Sequence, residues 1–337
     1  GFNGVATGAW IDQTQEYDSR GLLVKSSEPY YRGELINYTL ATYDLLGRPI
    51  SSTSADGSVN TLQYQGRTTR TTNALGQTKT VTKNIIGQDI EVLDTQNNAL
   101  TYGYDTLGNL SWLRDAAGNQ TYLVYNERGF KTRMIDPNQG DWRYSYFVDG
   151  QLKSQTDAKG QITQFTYDIL GRMKTRLEST GTTTWTYDVG TKALGKLSSV
   201  VLGNTSESYT YDALGRLDIT TSTLEGQTFA QDVDYDSTGR MLSLKYPNNY
   251  KVRYQYNNAL GIVSNITDDL GTTSFYKPTY MDAKGATEAF TLGDKINVTH
   301  DINDVTGLTN SINARVGTTT LQNLTYQWDR IGNLTYQ

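Results

Sequence analysis

The chain has 337 residues, a net charge of −5 and a pI near 5.1, values that argue against the basic surface of a nucleic-acid-binding protein. It contains no cysteine and one histidine, which excludes disulfides, thiolate catalysis, cysteine-bound zinc and multi-histidine metal sites. No apolar run is long enough to predict a membrane span.

Tyrosine dominates the aromatic residues, with 25 Tyr against 7 Phe and 5 Trp. A dry core would favour Phe, Leu and Ile, whereas Tyr is favoured where a ring is half buried and its hydroxyl reaches water or a partner. The composition therefore predicts a surface-rich architecture rather than one thick core.

The first predicted element is a hairpin turn at Tyr17-Asp18-Ser19-Arg20-Gly21, and the chain repeats this pattern many times. Tyrosine favours a strand, and aspartate at the first turn position accepts a hydrogen bond from the backbone two residues on. Glycine three residues later supplies the positive φ of a type I turn with a bulge. The predicted motif residues are Tyr17, Asp18, Gly21, Tyr43, Asp44, Gly47, Tyr104, Asp105, Gly108, Tyr125, Gly129, Tyr146, Gly150, Tyr167, Asp168, Gly171, Arg172, Tyr211, Asp212, Gly215, Arg216, Tyr235, Asp236, Gly239 and Arg240.

The spacing of these turns becomes regular after an irregular stretch at residues 26–34 and the second copy at Tyr43. From Gly87 onward the motif glycines recur every 21 residues. A second series of turns has the same period, about half a unit away, and begins at Asp94, Asp115, Asp136 and Asp157. After Tyr187 the intervals lengthen to as much as 24 residues, which predicts longer turns rather than a new domain.

Residues between the turns alternate with period two, as in Phe165 with Tyr167 and Trp185 with Tyr187, and no helical stripe is present. The pattern predicts about thirty short antiparallel strands. Open twisted sheets rarely exceed about ten strands, so we expect an all-β meander of hairpins that curls into a spiral or hollow β-shell. Residues 1–16 are predicted to be a lead-in segment, and residues 17–337 the repeat region.

Both ends predict that the chain is a fragment of a larger one. Residues 1–4 include no Met and no signal-peptide pattern, and residue 337 falls just after a repeat turn. We therefore expect a targeting signal to lie outside these residues.

The recurring Tyr-Asp-x-x-Gly-Arg-Leu pattern, as in residues 104–110, 167–173 and 211–217, resembles the YD repeat of the Rhs family. That family includes bacterial polymorphic toxins, the B and C components of insecticidal toxin complexes, and the shell of the animal teneurins. Residues 17–34 also resemble the region that leads into the repeats of toxin-complex B-like proteins. The resemblance implies a hollow shell that encloses a C-terminal toxin domain.

The functional role that the resemblance implies for this chain is limited to that of the shell wall. In bacterial members a core segment with an aspartate-dependent self-cleavage site follows the repeats, and no such segment is matched here. Asp136-Pro137-Asn138-Gln139-Gly140 is similar to it but falls on the second series of turns. We predict a non-catalytic shell segment of a secreted or cell-surface bacterial toxin, without cofactors. Its expected partners are the enclosed toxin or effector domain and the remaining shell.

Several motifs suggest other chemistry, and each has a simpler interpretation. Residues 190–197 nearly match a P-loop but end in Leu197 where a hydroxyl is needed, so a lengthened turn is preferred. His300 is interpreted as an aromatic substitute for the motif tyrosine before Asp301. The aspartates lack the spacing of calcium loops and are assigned to turns.

The aromatic ladders leave a second function open. Exposed Tyr and Trp side chains on a curved sheet can stack on sugar rings, and Trp112 and Trp185 are the candidates for ligand stacking. The alternative prediction is therefore an extracellular carbohydrate-binding or adhesion module with glycan partners. The other interpretation of these rings is packing within a single-layer sheet.

Overall fold

The computed structural model describes residues 10–257 and 261–337, and these residues form strands and turns without a helix. Twenty-nine of the strands form one antiparallel sheet, while β1 pairs with β4 and β32 pairs with β33. The predicted fold class, an all-β antiparallel meander, is confirmed. Since the described residues contain no helix, none of them lies in a helix able to cross a membrane.

The first strands are β1 (Ile11–Asp12), β2 (Gln15–Tyr17), β3 (Leu23–Ser27), β4 (Tyr30–Tyr31), β5 (Tyr38–Tyr43), β6 (Pro49–Thr53), β7 (Val59–Gln65), β8 (Thr68–Thr72), β9 (Thr78–Lys83), β10 (Asp89–Leu93) and β11 (Ala99–Tyr104). The central strands are β12 (Leu110–Arg114), β13 (Gln120–Tyr125), β14 (Lys131–Asp136), β15 (Gly140–Tyr146), β16 (Leu152–Thr156), β17 (Ile162–Tyr167), β18 (Met173–Glu178), β19 (Gly181–Tyr187), β20 (Leu197–Leu202), β21 (Thr205–Tyr211) and β22 (Leu217–Leu224). The last strands are β23 (Gln227–Tyr235), β24 (Met241–Lys245), β25 (Lys251–Tyr256), β26 (Val263–Asp268), β27 (Ser274–Met281), β28 (Thr287–Leu292), β29 (Ile296–Ile302), β30 (Thr309–Val316), β31 (Thr319–Thr325), β32 (Gln327–Trp328) and β33 (Leu334–Tyr336).

Successive strands run in opposite directions, so the two series of turns lie on opposite edges of the meander. We call the edge that carries the repeat-motif turns the first-series edge. It includes the turns at residues 44–48, 105–109, 168–172 and 212–216, and later those at 282–286, 303–308 and 329–333. The second-series edge carries the turns between them, such as residues 54–58, 73–77 and 115–119.

The chain comprises two compact units, which take their described residues from different spans. The first unit draws on Gly1–Gly87, Leu93–Asn97 and Val252–Gln337, and the second on Gln88–Val92 and Asn98–Lys251. Most side chains in both units are half buried or exposed. In the first unit, buried Tyr31 and Ala283 form a small apolar cluster against which Ile262 packs.

Candidate functional site: the stacked repeat turns

Each repeat turn is organised by its aspartate. In the turn at residues 168–172, Asp168 Oδ1 accepts hydrogen bonds from the amides of Leu170 and Arg172, each at 2.9 Å. The amide of Gly171 donates to the Asp168 carbonyl at 3.0 Å, and Gly171 has a φ of 81°. The ladder register shifts between Thr166 and Tyr167, which is the β-bulge expected beside such a turn.

The turn hydrogen bonds also fix the charge of the aspartates. The backbone amide of Arg48 is the largest cause that holds the pKa of Asp44 below its ordinary value. In the turn at residues 105–109, the side-chain amide of Asn109 is the largest cause that lowers the pKa of Asp105. These carboxylates are therefore ionised acceptors at neutral pH.

Most of the repeat tyrosines bond to the backbone of the preceding strand, whereas the Tyr17 hydroxyl donates to the Gln15 side chain. The hydroxyl of Tyr167 donates to the carbonyl of Leu152, the first residue of β16, at 3.0 Å. Equivalent bonds join Tyr43 to Leu23, Tyr64 to Pro49, Tyr104 to Asp89, Tyr146 to Lys131, Tyr187 to Met173, Tyr211 to Leu197 and Tyr235 to Leu217. In the last copy Trp328 Nε1 makes the same contact with the Thr309 carbonyl at 2.7 Å. A phenylalanine has no donor for this bond, which explains why tyrosine occupies these positions.

The turns also contact one another along the first-series edge. In several copies the residue after the motif glycine reaches forward to the next motif glycine, as Gln151 Nε2 donates to the Gly171 carbonyl at 3.1 Å. Gln88 donates to the Gly108 carbonyl in the same way at 2.8 Å. In the Phe130 copy the ring itself lies against Gly150. At Gly150 and Gly171 the motif glycine therefore provides both a positive φ and space for a side chain of the preceding turn.

Arginine links neighbouring turns by charge. Arg172 pairs with Asp168 of its own turn at 2.7 Å and with Asp188 of the next at 2.6 Å. The carboxylates of Asp188 and Asp168 raise the pKa of Arg172. Its guanidinium also lies 4.3 Å from the centre of the Tyr187 ring, a cation–π contact. The same arrangement joins Arg216 to the Tyr235 ring at 4.4 Å.

The two tryptophans predicted to stack on a ligand lie apart in the sheet. Trp112 covers Gly103 of the neighbouring strand so closely that no Cβ would fit there. Trp185 pairs with Val200, and the Arg176 guanidinium lies 5.8 Å from its ring. Residues directly opposite each other on paired strands share a face of the sheet. Followed from β12 to β19, these pairs place Trp112 on the same face as Thr184. Trp185 is the next residue along the strand and therefore lies on the opposite face.

The interpretation of His300 is wrong. Its turn begins at Asn303, whose amide donates to the Leu308 carbonyl at 2.8 Å, so Ile302 occupies the motif-tyrosine position. His300 lies within β29 and its Nε2 is 2.8 Å from Thr309 Oγ1.

The lengthened turn predicted for residues 190–197 is present between β19 and β20, where the Gly195 amide donates to the Asp188 carboxylate at 2.6 Å. Within the described part of the chain, no group of three or more His, Cys, Asp or Glu is able to hold a metal ion.

One contact region in the first unit was not predicted. Here the second-series edge of the N-terminal strands meets the first-series edge of the C-terminal strands, and we call this region the seam. The Tyr31 hydroxyl donates to the carbonyls of Met281 at 3.1 Å and Asp282 at 3.2 Å. Asn37 donates to the Asp304 carbonyl at 2.7 Å, and Ser58 donates to the Arg330 carbonyl at 3.3 Å. The only sequence signal for it is the break in the repeat at residues 26–34.

The seam is rich in carboxylates. It encloses a cavity of about 320 Å³ whose charged lining residues are Glu28, Glu34, Asp282, Lys284 and Asp304. Lys284 pairs with Glu28 and donates to the Asp304 carbonyl at 3.0 Å. Burial, followed by the charge of Asp282 and then of Asp304, raises the pKa of nearby Glu288.

Comparison with known proteins finds a family match for part of the repeat region. The family model described as RHS Repeat matches residues 148–184, which contain the turn centred on Asp168. Residues 148–184 therefore match an RHS repeat. The predicted resemblance to the Rhs family is therefore confirmed.

The chain is also similar in sequence to one bacterial toxin and in fold to structures of toxin complexes. It is 28% identical over 141 residues to the double-stranded DNA deaminase toxin A of Burkholderia cenocepacia, a match that covers 41% of this chain and 10% of the relative. The fold matches a crystal structure of TcdB2–TccC3 with a TM-score of 0.86 and 16% identity, over 97% of this chain and 20% of that one. A Tc holotoxin pore structure from Photorhabdus luminescens matches with a TM-score of 0.85 and 15% identity, over 97% of this chain and 19% of that one. The chain thus spans about a tenth of its toxin relative and about a fifth of the chains that share its fold.

Proposed function

We propose that the chain is a non-catalytic stretch of an RHS-repeat shell wall, which helps to enclose the C-terminal toxin or effector domain of a secreted bacterial polymorphic toxin. The observation that carries this proposal is the fold match to TcdB2–TccC3, which includes nearly the whole chain. The relative named as a DNA deaminase toxin supports an effector within the same polypeptide. The proposal assigns any catalysis to that effector and export to signals elsewhere in the polypeptide.

The contacts of the repeat residues support a wall. In the turn at residues 168–172, the aspartate, glycine and arginine bond within this turn or to the next, and Tyr167 bonds to the adjacent strand. These side chains hold strand to strand instead of converging on one reacting centre. We propose that the wall extends over residues 17–337 and that residues 1–16 lead into it. In support, β1 pairs with β4 outside the large sheet, whereas β2 is part of it.

The test uses the intact polypeptide that contains this segment, purified without denaturant. We expect a C-terminal piece that co-purifies with the repeat region, resists added protease and becomes digestible only after denaturant opens the wall. A matched sample with the effector expressed alone should be digested at once. A C-terminal domain that is digested equally fast in the native full chain and alone would contradict encapsulation.

The carbohydrate-binding alternative is a separate proposal. Trp112 and Trp185 lie on opposite faces, so they would belong to different sites, and Trp112 is already packed on Gly103. The matched test is glycan titration of the chain and of Trp185→Ala, with Tyr122→Ala as the control on the other face. Saturable binding lost only in Trp185→Ala would favour this alternative.

A further inference from the structure

One copy of the repeat departs from the others on a strand face. In three copies, a pair of hydroxyl side chains lies beside the β-bulge before the first-series turn, with oxygen atoms 2.5 to 2.7 Å apart. These pairs are Thr42 with Ser51, Ser145 with Ser154, and Thr166 with Thr175. The copy that joins β11 to β12 has Gly103 and Trp112 in this register instead. The hairpin of the other copies forms without a tryptophan here, so the fold does not require Trp112.

Trp112 belongs to a compact group of side chains on one face of the sheet. Its indole occupies the space over Gly103 where a Cβ would stand, which fixes the position of the ring, and the residue is only half buried. Tyr122 lies directly opposite on β13 and is 47% exposed. Arg114 and Gln120 are the next opposite pair on this face, and the Arg114 guanidinium is 5.9 Å from the centre of the Trp112 ring. We call Trp112, Arg114, Gln120 and Tyr122 the Trp112 group.

The guanidinium of this group has a charge that the protein does not neutralise. Arg114 is exposed and, within the described part of the chain, forms no ion pair. Arg133 and Arg143 lie on the same face, but both pair with Asp141, at 2.8 and 3.2 Å. Asp115 follows Arg114 in sequence, yet its carboxylate accepts hydrogen bonds within its own turn. Arg114 therefore presents a free positive charge beside two aromatic rings.

The surrounding face is cationic although the chain as a whole is acidic. Among the paired residues of β12–β17 on the Trp112 face, the charged ones are Arg114, Arg133, Arg143 and Asp141. The others carry aromatic, aliphatic, hydroxyl or amide side chains. Three cations against one anion make an anionic ligand the complementary one.

The chemistry of the Trp112 group selects among anionic ligands. Aromatic rings stack on flat rings, and a guanidinium binds a carboxylate through two parallel hydrogen bonds. Single-stranded nucleic acid carries a phosphate at every nucleotide and needs a groove lined by cations, whereas only Arg114 is unpaired here. An acidic peptide offers the carboxylate but no ring for both aromatic side chains. An acidic sugar offers both, and the Gln120 amide can donate to and accept from its hydroxyls.

We propose that the Trp112 group is a binding site for a uronic acid within an acidic glycan. The sugar ring stacks on Trp112 and Tyr122, its carboxylate accepts from the Arg114 guanidinium, and its hydroxyls bond to Gln120. This inference rests on the carbohydrate alternative, to which it gives a ligand class and a site on the face opposite Trp185. It is independent of encapsulation.

The test titrates the chain with a short oligogalacturonate and, as the matched neutral ligand, with its fully methyl-esterified form. Calorimetry should show saturable binding of the acidic form that weakens as salt is added. The esterified form should bind about tenfold or more weakly, because it cannot pair with Arg114. Absence of saturable binding, or equal affinity for the two forms, would overturn the proposal.

Two arginine variants test the site itself. Arg114→Gln removes the charge but keeps a long polar side chain, and it should weaken binding of the acidic form by about tenfold or more. Arg143→Gln is the matched control, because it removes a charge from the same face three strands away, and it should change affinity by less than about twofold. Thermal unfolding of both variants verifies that they are folded. An equal loss in both would show that the face attracts anions without a built site, and the proposal would be wrong.

Other ligands and the opposite face complete the test. Tighter binding of oligothymidylate or of polyglutamate, weakened by Arg114→Gln, would reassign the site to single-stranded nucleic acid or to an acidic peptide. Glycan binding that Trp185→Ala abolishes and Arg114→Gln leaves unchanged would overturn this site while the carbohydrate alternative stands. No effector is present in these titrations, so none of the results bears on encapsulation.

Discussion

The ring of Phe130 lies against Gly150 so closely that a Cβ on this glycine would stand 2.7 Å from Phe130 Cζ. Gly160 has a similar positive φ, 79° against 94°, but no atom within 4 Å of its Cβ position. Both glycines use the conformational freedom of a residue without a Cβ, but only Gly150 also leaves space for the neighbouring turn.

Gly150→Ala should be more destabilising than Gly160→Ala. Both variants place a Cβ at positive φ, which costs about 1 kcal/mol. Gly150→Ala must also displace the Phe130 ring, an overpacking cost of roughly 1–3 kcal/mol more. Thermal unfolding of the two variants provides the comparison, and equal losses would show that turns do not stack through their glycines.

Tyr167→Phe should weaken the bond between hairpins without disturbing ring packing. The lost hydrogen bond to the Leu152 carbonyl is worth about 0.5–1.5 kcal/mol. Hydrogen exchange should accelerate in β16 and β17. The control is Tyr17→Phe, because the Tyr17 hydroxyl bonds only to the Gln15 side chain and its residue is 57% exposed. Unchanged exchange in Tyr167→Phe would mean that the hydroxyl bond contributes nothing to strand pairing.

Acid should destabilise the repeat turns. The folded pKa of Asp105 lies below its ordinary value of 3.8, first because of the Asn109 side-chain amide. The stability from this shift is complete above pH 3.8 and is lost as the pH falls through the lower folded pKa.

Asp105→Asn should reduce this loss while the turn is kept. Asn126 occupies the same position in its own turn and accepts from the amides of Arg128 and Phe130, each at 3.0 Å. The unfolding temperature is measured from neutral pH to below pH 3.8, with exposed Glu127→Gln as the control. A decline as steep as that of the parent chain would contradict the turn assignment of the Asp105 carboxylate.

Glu288→Gln should stabilise the chain at neutral pH. Burial and, next, the charge of Asp282 raise the folded pKa of Glu288 above its ordinary value of 4.5. The folded state therefore disfavours the ionised form, so stability falls as the pH rises through the raised pKa. Glutamine removes this penalty, and the unfolding temperature should rise at pH 7 but not below pH 4.5. An identical rise at both values would point to packing rather than charge.

Sequence reasoning found the turns because their chemistry is local. Asp168, Gly171 and Arg172 interact within five residues, so their spacing alone predicts the hairpin. The partner of Tyr167 is a carbonyl 15 residues earlier, and its choice depends on the strand register. The role of His300 was predicted wrongly because the turn after it begins at Asn303, two residues beyond Asp301. This turn is also longer than the turn at residues 168–172.

The seam was beyond prediction for a different reason. Tyr31 and Asp282 are 251 residues apart, and no motif marks either as a partner of the other. Their contact depends on the path of every intervening strand. The sheet faces on which Trp112 and Trp185 lie could not be predicted either. Each β-bulge shifts the two-residue alternation from which a face is assigned in a sequence.

The short reach of the tyrosine bond has an evolutionary consequence. Each hydroxyl extends only to the strand before its own, as Tyr146 does to Lys131 and Tyr167 to Leu152. Duplication or loss of one 21-residue unit therefore recreates the same bonds on both sides of the join. Unequal recombination between copies can lengthen or shorten such a sheet in whole units without a compensating substitution, so its length is open to rapid change among descendants.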